Sequence, residues 1–241
     1  MRPAQYVHRL FTFCVGAVFP ASCYGCGAAD TYLCAECAGN VGALPQPQCP
    51  HCGTRLPFGQ LPNACRATLR LSRFFCCSDY HNARVREMIH DFKYSRAFAL
   101  APALANSMHA WLTNDGYAPL FAEHTVLVVP VPSHPKRERE RGFHPAAVLA
   151  REFAHQMNLA YVPDVLLKTR NNQQQVETKN AAERRENVKG VFALNKPELV
   201  RGRTVLIVDD VCTTGATLTE CAKAIRTGNP KAIWALALAK D

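Results

Sequence analysis

Acidic residues are in short supply in this chain of 241 residues. Aspartate and glutamate number 19 against 28 lysines and arginines, a formal net charge of +9. That balance argues against basic partners and suits polyanions, small ones and nucleic acid alike. A long apolar run is also missing where a membrane protein would need one. Residues 10–19 are largely apolar and follow Arg2, His8 and Arg9, a layout that mimics a signal peptide, with Pro20 to Cys23 as a poor lipobox. The run is too short to span a bilayer, and Cys23 has a better use. The chain therefore reads as cytoplasmic, without stable membrane insertion. Internal repeats are absent apart from short cysteine motifs, which argues against a repeat array. The length leaves room for one sizeable domain and a small one.

Cysteine, by contrast, is abundant: twelve in all, eight of them from Cys14 to Cys65. Their spacing is that of metal knuckles rather than an evenly spread disulfide framework, which points to a reducing compartment. Cys23-Tyr-Gly-Cys26-Gly and Cys49-Pro-His-Cys52-Gly are both C-x-x-C-G motifs, and Cys34-Ala-Glu-Cys37 adds a third pair. A tight turn ending in glycine lets backbone N–H groups face two thiolates on one metal. Four thiolates from two pairs make a closed tetrahedral zinc site, so Cys23, Cys26, Cys34 and Cys37 group as a first structural zinc site. Cys49, Cys52 and Cys65 suggest a second, but the position three residues before Cys65 is Pro62, which cannot ligate. His51, Cys76 or Cys77 are alternatives for the fourth ligand, an empty degenerate site is another, and cross-pairing of Cys34/Cys37 with Cys49/Cys52 also fits the spacing. So small a region buries little apolar surface, and metal supplies most of its folding free energy.

The most informative stretch is residues 204–217, T-V-L-I-V-D-D-V-C-T-T-G-A-T. Residues 205–208 form a short β-branched apolar run, the pattern of a buried strand. Two carboxylates, Asp209 and Asp210, follow at its end, then a small polar loop, then a helical pattern from Ala216 to about Arg226. Loop and helix-start N–H groups hold phosphate well. The two carboxylates can accept hydrogen bonds from sugar hydroxyls or help to hold Mg²⁺. Gly215 permits a close backbone approach that a side chain would block.

Between these regions, Val85, Met88, Ile89 and Phe92 form an i, i+3, i+4, i+7 stripe, predicting a helix from about Ala83, with a second over residues 99–112. Residues 125–132 predict another buried strand. It runs into a basic turn with Lys136, Arg137, Arg139 and Arg141, placed where open α/β sheets bind ligands. Arginine neutralises pyrophosphate well by bidentate contact. A helix over residues 145–157, an edge strand near 165–170, a polar lid-like segment from Asn171 to Lys189, a short strand at 191–194 and a closing strand at 232–239 complete the pattern. Strands alternating with helices imply a parallel sheet covered on both faces. The expected domains are 1–75, a zinc ribbon, and 76–241, the α/β domain.

Taken in order, the motifs resemble the ComF/GntX family, which joins a zinc ribbon to a type I phosphoribosyltransferase-like domain. They are Phe19-Pro20-x-x-Cys23-x-x-Cys26, Cys49-Pro-x-Cys52-Gly, Ile89-His-x-x-Lys93-Tyr94, Val129-Pro-Val-Pro132, Arg139-Glu-Arg-Gly-Phe143, Glu183-Arg-Arg-x-Asn187 and residues 205–217. The resemblance implies binding of phosphoribosyl pyrophosphate (PRPP), transferase chemistry with Mg²⁺, and a link to natural competence. Single-stranded DNA and competence or recombination proteins become candidate partners. It also implies roles: Asp209 and Asp210 as catalytic residues on the ribose, and Thr213, Thr214, Gly215, Ala216 and Thr217 around the 5′-phosphate. Val131 and Pro132 look like the pyrophosphate loop, Lys93, Arg137 and Arg141 like pyrophosphate contacts, and residues 171–187 like the catalytic loop. The sequence departs from the family pattern at His144-Pro145, where Asn-Gln is usual, and at Pro62.

Two functional readings follow. One is a transferase whose acceptor brings its own nucleophile, since no side chain stands out as a general base. Its acceptor-side hood would come from the ribbon and residues 83–112, because little chain remains after the last strand. The other is a non-catalytic module that binds PRPP or a DNA phosphate during DNA uptake.

Overall fold

The computed structural model describes residues 21–39, 43, 44, 46–94, 97–169 and 188–241; the side chains of Ala97 and Arg137 lie outside the described set. The apolar run at 10–19 and the lid-like segment at 171–187 fall outside it too. A five-stranded sheet forms the centre, in the order β1 (Arg73–Asp79), β7 (Ala232–Lys240), β6 (Thr204–Cys212), β2 (Val126–Pro130), β3 (Ala160–Tyr161). Every pairing in it is parallel. All carboxyl ends therefore open on one side.

Period-two alternation divides the core. In β6, Leu206 and Val208 face one layer while Val205 and Ile207 face the other; in β1, Phe75 and Cys77 oppose Phe74 and Cys76. The first layer holds α3 (Ala83–Tyr94), α4 (Ala97–Asn114), α5 (Ala118–Ala122) and α7 (Pro145–Gln156). Phe75, Tyr117, Phe121 and Trp234 interlock there as tilted and edge-on rings. The second layer holds α9 (Ala216–Arg226), α8 (Pro197–Val200) and α2 (Asn63–Leu69). This is the expected parallel sheet between helical layers.

The cysteine-rich region splits across the sheet. Cys23, Leu33 and Ala38 join the first layer, whereas Cys49, Leu56, Leu61, Cys65 and Leu69 join the second. The first part docks on α4, where the Ser107 hydroxyl donates to the Ala38 carbonyl and Trp111 Nε1–H donates to the Leu44 carbonyl at 2.8 Å. Strand β1 spans residue 75 and pairs with β7 along its length.

Two expectations are corrected, the edge strand and the basic turn. The edge strand near 165–170 is β4 (Leu166–Lys168), which pairs antiparallel with β5 (Phe192–Leu194) in a separate ribbon. Antiparallel pairing needs no crossover of the kind that a parallel pair demands. The closing strand, β7, lies inside the sheet between β1 and β6; seven of its nine residues are buried, as suits a strand covered on both faces. The basic turn after β2 is a short helix, α6 (Pro135–Arg141), with His134 as N-cap accepting from the Lys136 N–H, Pro135 at its start and Gly142 as a left-handed C-cap.

Candidate functional site

The two C-x-x-C-G motifs fold alike. Cys23 N–H donates to the Ala28 carbonyl and Gly27 N–H to the Cys23 carbonyl, both at 2.8 Å. In the second motif Cys49 N–H donates to Thr54 at 2.8 Å and Gly53 N–H to Cys49 at 2.9 Å. Gly27 and Gly53 both take positive φ, 80° and 74°. Each knuckle then meets a short helix. Cys34 is the N-cap of α1 (Ala35–Ala38), which carries Cys37; Pro62 is the N-cap of α2, which carries Cys65.

The Sγ atoms of Cys23, Cys26, Cys34 and Cys37 all lie within 4.8 Å of one another, and so do those of Cys49, Cys52 and Cys65. Tetrahedral zinc with Zn–S bonds near 2.3 Å sets its sulfurs roughly 3.8 Å apart; the Cys26–Cys34 separation is 3.7 Å and Cys52–Cys65 is 3.4 Å. Both donor sets fit zinc. The grouping also excludes the cross-paired alternative. Cys76 and Cys77 are buried in β1, and among the described residues no fourth His, Cys, Asp or Glu joins the second set. The Thr54 hydroxyl beside Cys52 pulls that thiol down to about 7.

The acidic pair sits within β6 rather than after it, because the strand continues to Cys212 through pairing with β7. Asp210 N–H donates to Asp209 Oδ1 at 2.9 Å. Lys93, at the carboxyl end of α3, reaches Asp210 Oδ1 at 2.9 Å, with 22% and 14% of the two side chains exposed. Asp209 is pushed up to about 8, first by burial and then by the Asp210 carboxylate; Lys93 and Lys168 act against this. Two adjacent carboxylates are oxygen donors of the kind Mg²⁺ takes. In the protein as described, the charge opposite Asp210 is Lys93, which the family resemblance places on pyrophosphate.

The loop 213–217 leads into α9, with Gly215 as its N-cap at φ 73°. A Cβ on Gly215 would lie 3.1 Å from Pro50 Cγ and 3.3 Å from Leu69 Cδ2. The close approach expected here is made by the second zinc knuckle. Beside it lies a cavity of about 240 Å³ lined by His51, Thr68, Lys189, Thr214, Thr219 and Lys223, among others. Glu220 accepts from Gly190 N–H at 2.8 Å and pairs with Lys223, tying the chain after residue 187 to α9.

Val131 and Pro132 follow β2 at the same sheet edge, and Val131 N–H donates to the Val208 carbonyl at 2.9 Å. His144 Nε2–H donates to the Val131 carbonyl at 2.8 Å, and its Nδ1 lies 3.4 Å from Glu138. Burial holds this histidine below its ordinary pKa, although the Val131 carbonyl and Glu138 act the other way. The Arg141 guanidinium lies over the Tyr94 ring, 5.1 Å from its centroid. The structure thus gathers Lys93, Arg141, Val131, Pro132, Asp209, Asp210 and the loop around one sheet edge. The Arg137 side chain and the residues 183–187 lie outside the described set. Sequence reasoning missed Pro50, Glu220 and the contact made by His144; nothing local in the sequence marks them.

A family model described as phosphoribosyl transferase domain matches residues 117–241, and one described as double zinc ribbon domain matches residues 14–67. The DNA utilization protein YhgH of Escherichia coli is 29% identical over 199 residues, which cover 78% of this chain and 82% of that protein. Competence protein F of Haemophilus influenzae is 26% identical over 213 residues, covering 86% and 90%. A solved structure of the allosteric regulatory enzyme of purine biosynthesis matches at 17% identity and a TM-score of 0.40, over 62% of this chain and 30% of its own. Glutamine PRPP amidotransferase from B. subtilis gives 17% and 0.39 over the same shares. This chain spans under a third of either enzyme. Among the described residues no helix is long and apolar enough to cross a membrane.

Proposed function

Because the chain belongs to the phosphoribosyl transferase domain family, we propose that it binds PRPP and transfers its phosphoribosyl group to an acceptor, in the cytoplasm, during the handling of incoming DNA. The observation that carries this reading is the convergence of the Asp209/Asp210 pair, Lys93 and the loop 213–217 at one end of β6.

Asp209 and Asp210 accept hydrogen bonds from the ribose hydroxyls, and the Asp210 carboxylate eases the cationic character that develops at C1 as pyrophosphate leaves. Backbone N–H groups of 213–217 hold the 5′-phosphate, aided by the start of α9. Lys93 and Arg141 balance the leaving pyrophosphate, with Lys93 moving from Asp210 to the ligand. His144 holds the Val131 carbonyl, so the backbone after β2 is fixed where pyrophosphate contacts it. Mg²⁺ held by the carboxylates and pyrophosphate would neutralise leaving-group charge. The acceptor side falls to the end of α3, which the first knuckle braces: the Tyr24 hydroxyl donates to Asp91 Oδ2 at 2.5 Å.

The test uses zinc-loaded protein, Mg²⁺ and ribose-labelled PRPP with metabolite and oligonucleotide pools, following pyrophosphate release and labelled product. Acceptor-dependent release that Asp209→Asn/Asp210→Asn abolishes supports transfer. The names of the relatives and the net charge of +9 favour a second reading, a non-catalytic PRPP- or DNA-phosphate-binding module acting with single-stranded DNA and competence or recombination proteins. Binding of PRPP without turnover, or displacement of single-stranded DNA by PRPP, would favour that module.

A further inference from the structure

The two halves of the ribbon repeat every metal ligand but one. Where Cys34 caps α1 and completes the first set, Pro62 caps α2 and offers no ligand atom. Among the described residues three thiolates remain, two buried and one exposed, Cys52. His51 does not complete the set: its side chain lines the cavity beside Thr214 instead. A metal held by three protein ligands keeps a position open to solvent. An incoming chelator or a small thiol can enter there, so this site exchanges its metal more readily than the closed one.

The same knuckle touches the phosphate loop. Pro50 lies between ligands Cys49 and Cys52, and Leu69 lies one helical turn beyond ligand Cys65. These two residues are what a Cβ on Gly215 would strike. Gly215 is buried and its φ is 73°. The loop's central residue therefore rests on two side chains that flank the ligands of one candidate metal site.

We propose that the Cys49/Cys52/Cys65 site controls the phosphate loop: metal bound there seats Pro50 and Leu69 against Gly215 and preorganises residues 213–217 for a phosphate monoester. The inference rests on the reading of that loop as a phosphate site. Losing the metal frees the knuckle, and the loop then pays its ordering cost on binding. Coupling of this kind is reciprocal, so the phosphate ligand also holds the metal in place.

Ribose 5-phosphate is the probe, because PRPP itself chelates metal. Its affinity is measured calorimetrically for full-length, zinc-replete wild type, for wild type after the faster-released zinc has been removed, and for Pro50→Gly and Pro62→Cys. Zinc release to a chromogenic chelator is followed with and without ribose 5-phosphate. Removing the faster zinc should weaken binding about fivefold or more, a typical coupling, and ribose 5-phosphate should slow that release by a similar factor. Pro50→Gly should keep both zinc ions yet bind more weakly. Pro62→Cys, which restores a fourth thiolate, should slow the fast release and preserve affinity at limiting zinc. Unchanged affinity after removal of the faster zinc, or in Pro50→Gly, overturns the coupling while leaving the phosphate site intact. A fast release that Pro62→Cys does not alter overturns the three-thiolate assignment. No binding of ribose 5-phosphate to zinc-replete wild type overturns both the coupling and the phosphate-site reading.

Discussion

Substituting Gly215 with alanine perturbs the junction between the ribbon and the α/β domain in two separable ways. The residue holds φ at 73°, where a side chain costs about 1–2 kcal/mol. The new Cβ would also stand 3.1 Å from Pro50 Cγ and 3.3 Å from Leu69 Cδ2, and forcing a methyl into such a contact costs about 1–3 kcal/mol. The lower entropy of the unfolded alanine chain returns about 0.5 kcal/mol. The net destabilisation is about 2–4 kcal/mol, which for a protein of this size lowers the melting temperature by roughly 5–15 °C. Calorimetric melts at saturating zinc measure it. Pro50→Ala removes the Cγ atom, so the double variant should recover the steric share, a coupling of about 1 kcal/mol or more, while the conformational share persists. A Gly215→Ala protein melting within about 2 °C of wild type, or strictly additive substitutions, would refute the seating of the knuckle on this glycine.

Asp209→Asn tests the raised carboxyl. Native Asp209 keeps its proton to about 8 whereas the unfolded chain releases it near 3.8, so between those values the native state binds more protons and stability falls as pH rises. The asparagine variant should lose that slope, its urea melts gaining on wild type from about pH 4 to pH 8; parallel curves would contradict the burial argument. Lys93→Met removes the cation 2.9 Å from Asp210 and should cost about 1–3 kcal/mol. It should also move the Asp209 titration, followed by carboxyl NMR, to higher pH, and an unmoved midpoint would place Lys93 elsewhere. Tyr24→Phe deletes the hydroxyl that donates to Asp91 and should cost about 1.5–3 kcal/mol, with both zinc ions retained; zinc loss in this variant would mean the residue serves the knuckle rather than α3.

Much of the site was legible because its chemistry is local. The apolar run into Asp209 and Asp210, then the small polar loop, specifies strand, carboxylates and helix start within fourteen residues. The cysteine spacing likewise marked the three C-x-x-C pairs, since a knuckle is a turn and a turn is a short-range object, but left cross-pairing open until the fold grouped the sulfurs. The family resemblance rested on such pieces, and the YhgH and competence protein F relatives with both domain matches agree with it.

What resisted reading depends on partners distant in the chain. That Lys93 faces Asp210 requires α3 and β6 to meet across more than a hundred residues. The swap of Asn-Gln for His144-Pro145 says nothing by itself; only the fold shows His144 fastening the Val131 carbonyl and Pro145 starting α7. The position of β7 inside the sheet, and of β4 outside it, follows from which edges remain to be paired once the other strands are placed. Sequence alone therefore determined the kinds of element: thiolate clusters, a carboxylate pair and a small polar loop at a helix start, each set by residues within one turn or strand end. Tertiary structure decided their relations. It placed the first zinc module against the helix that carries Lys93 and the second against Gly215. Those contacts arise from burying two apolar surfaces on opposite faces of one sheet, and no local spacing encodes which face each surface will find.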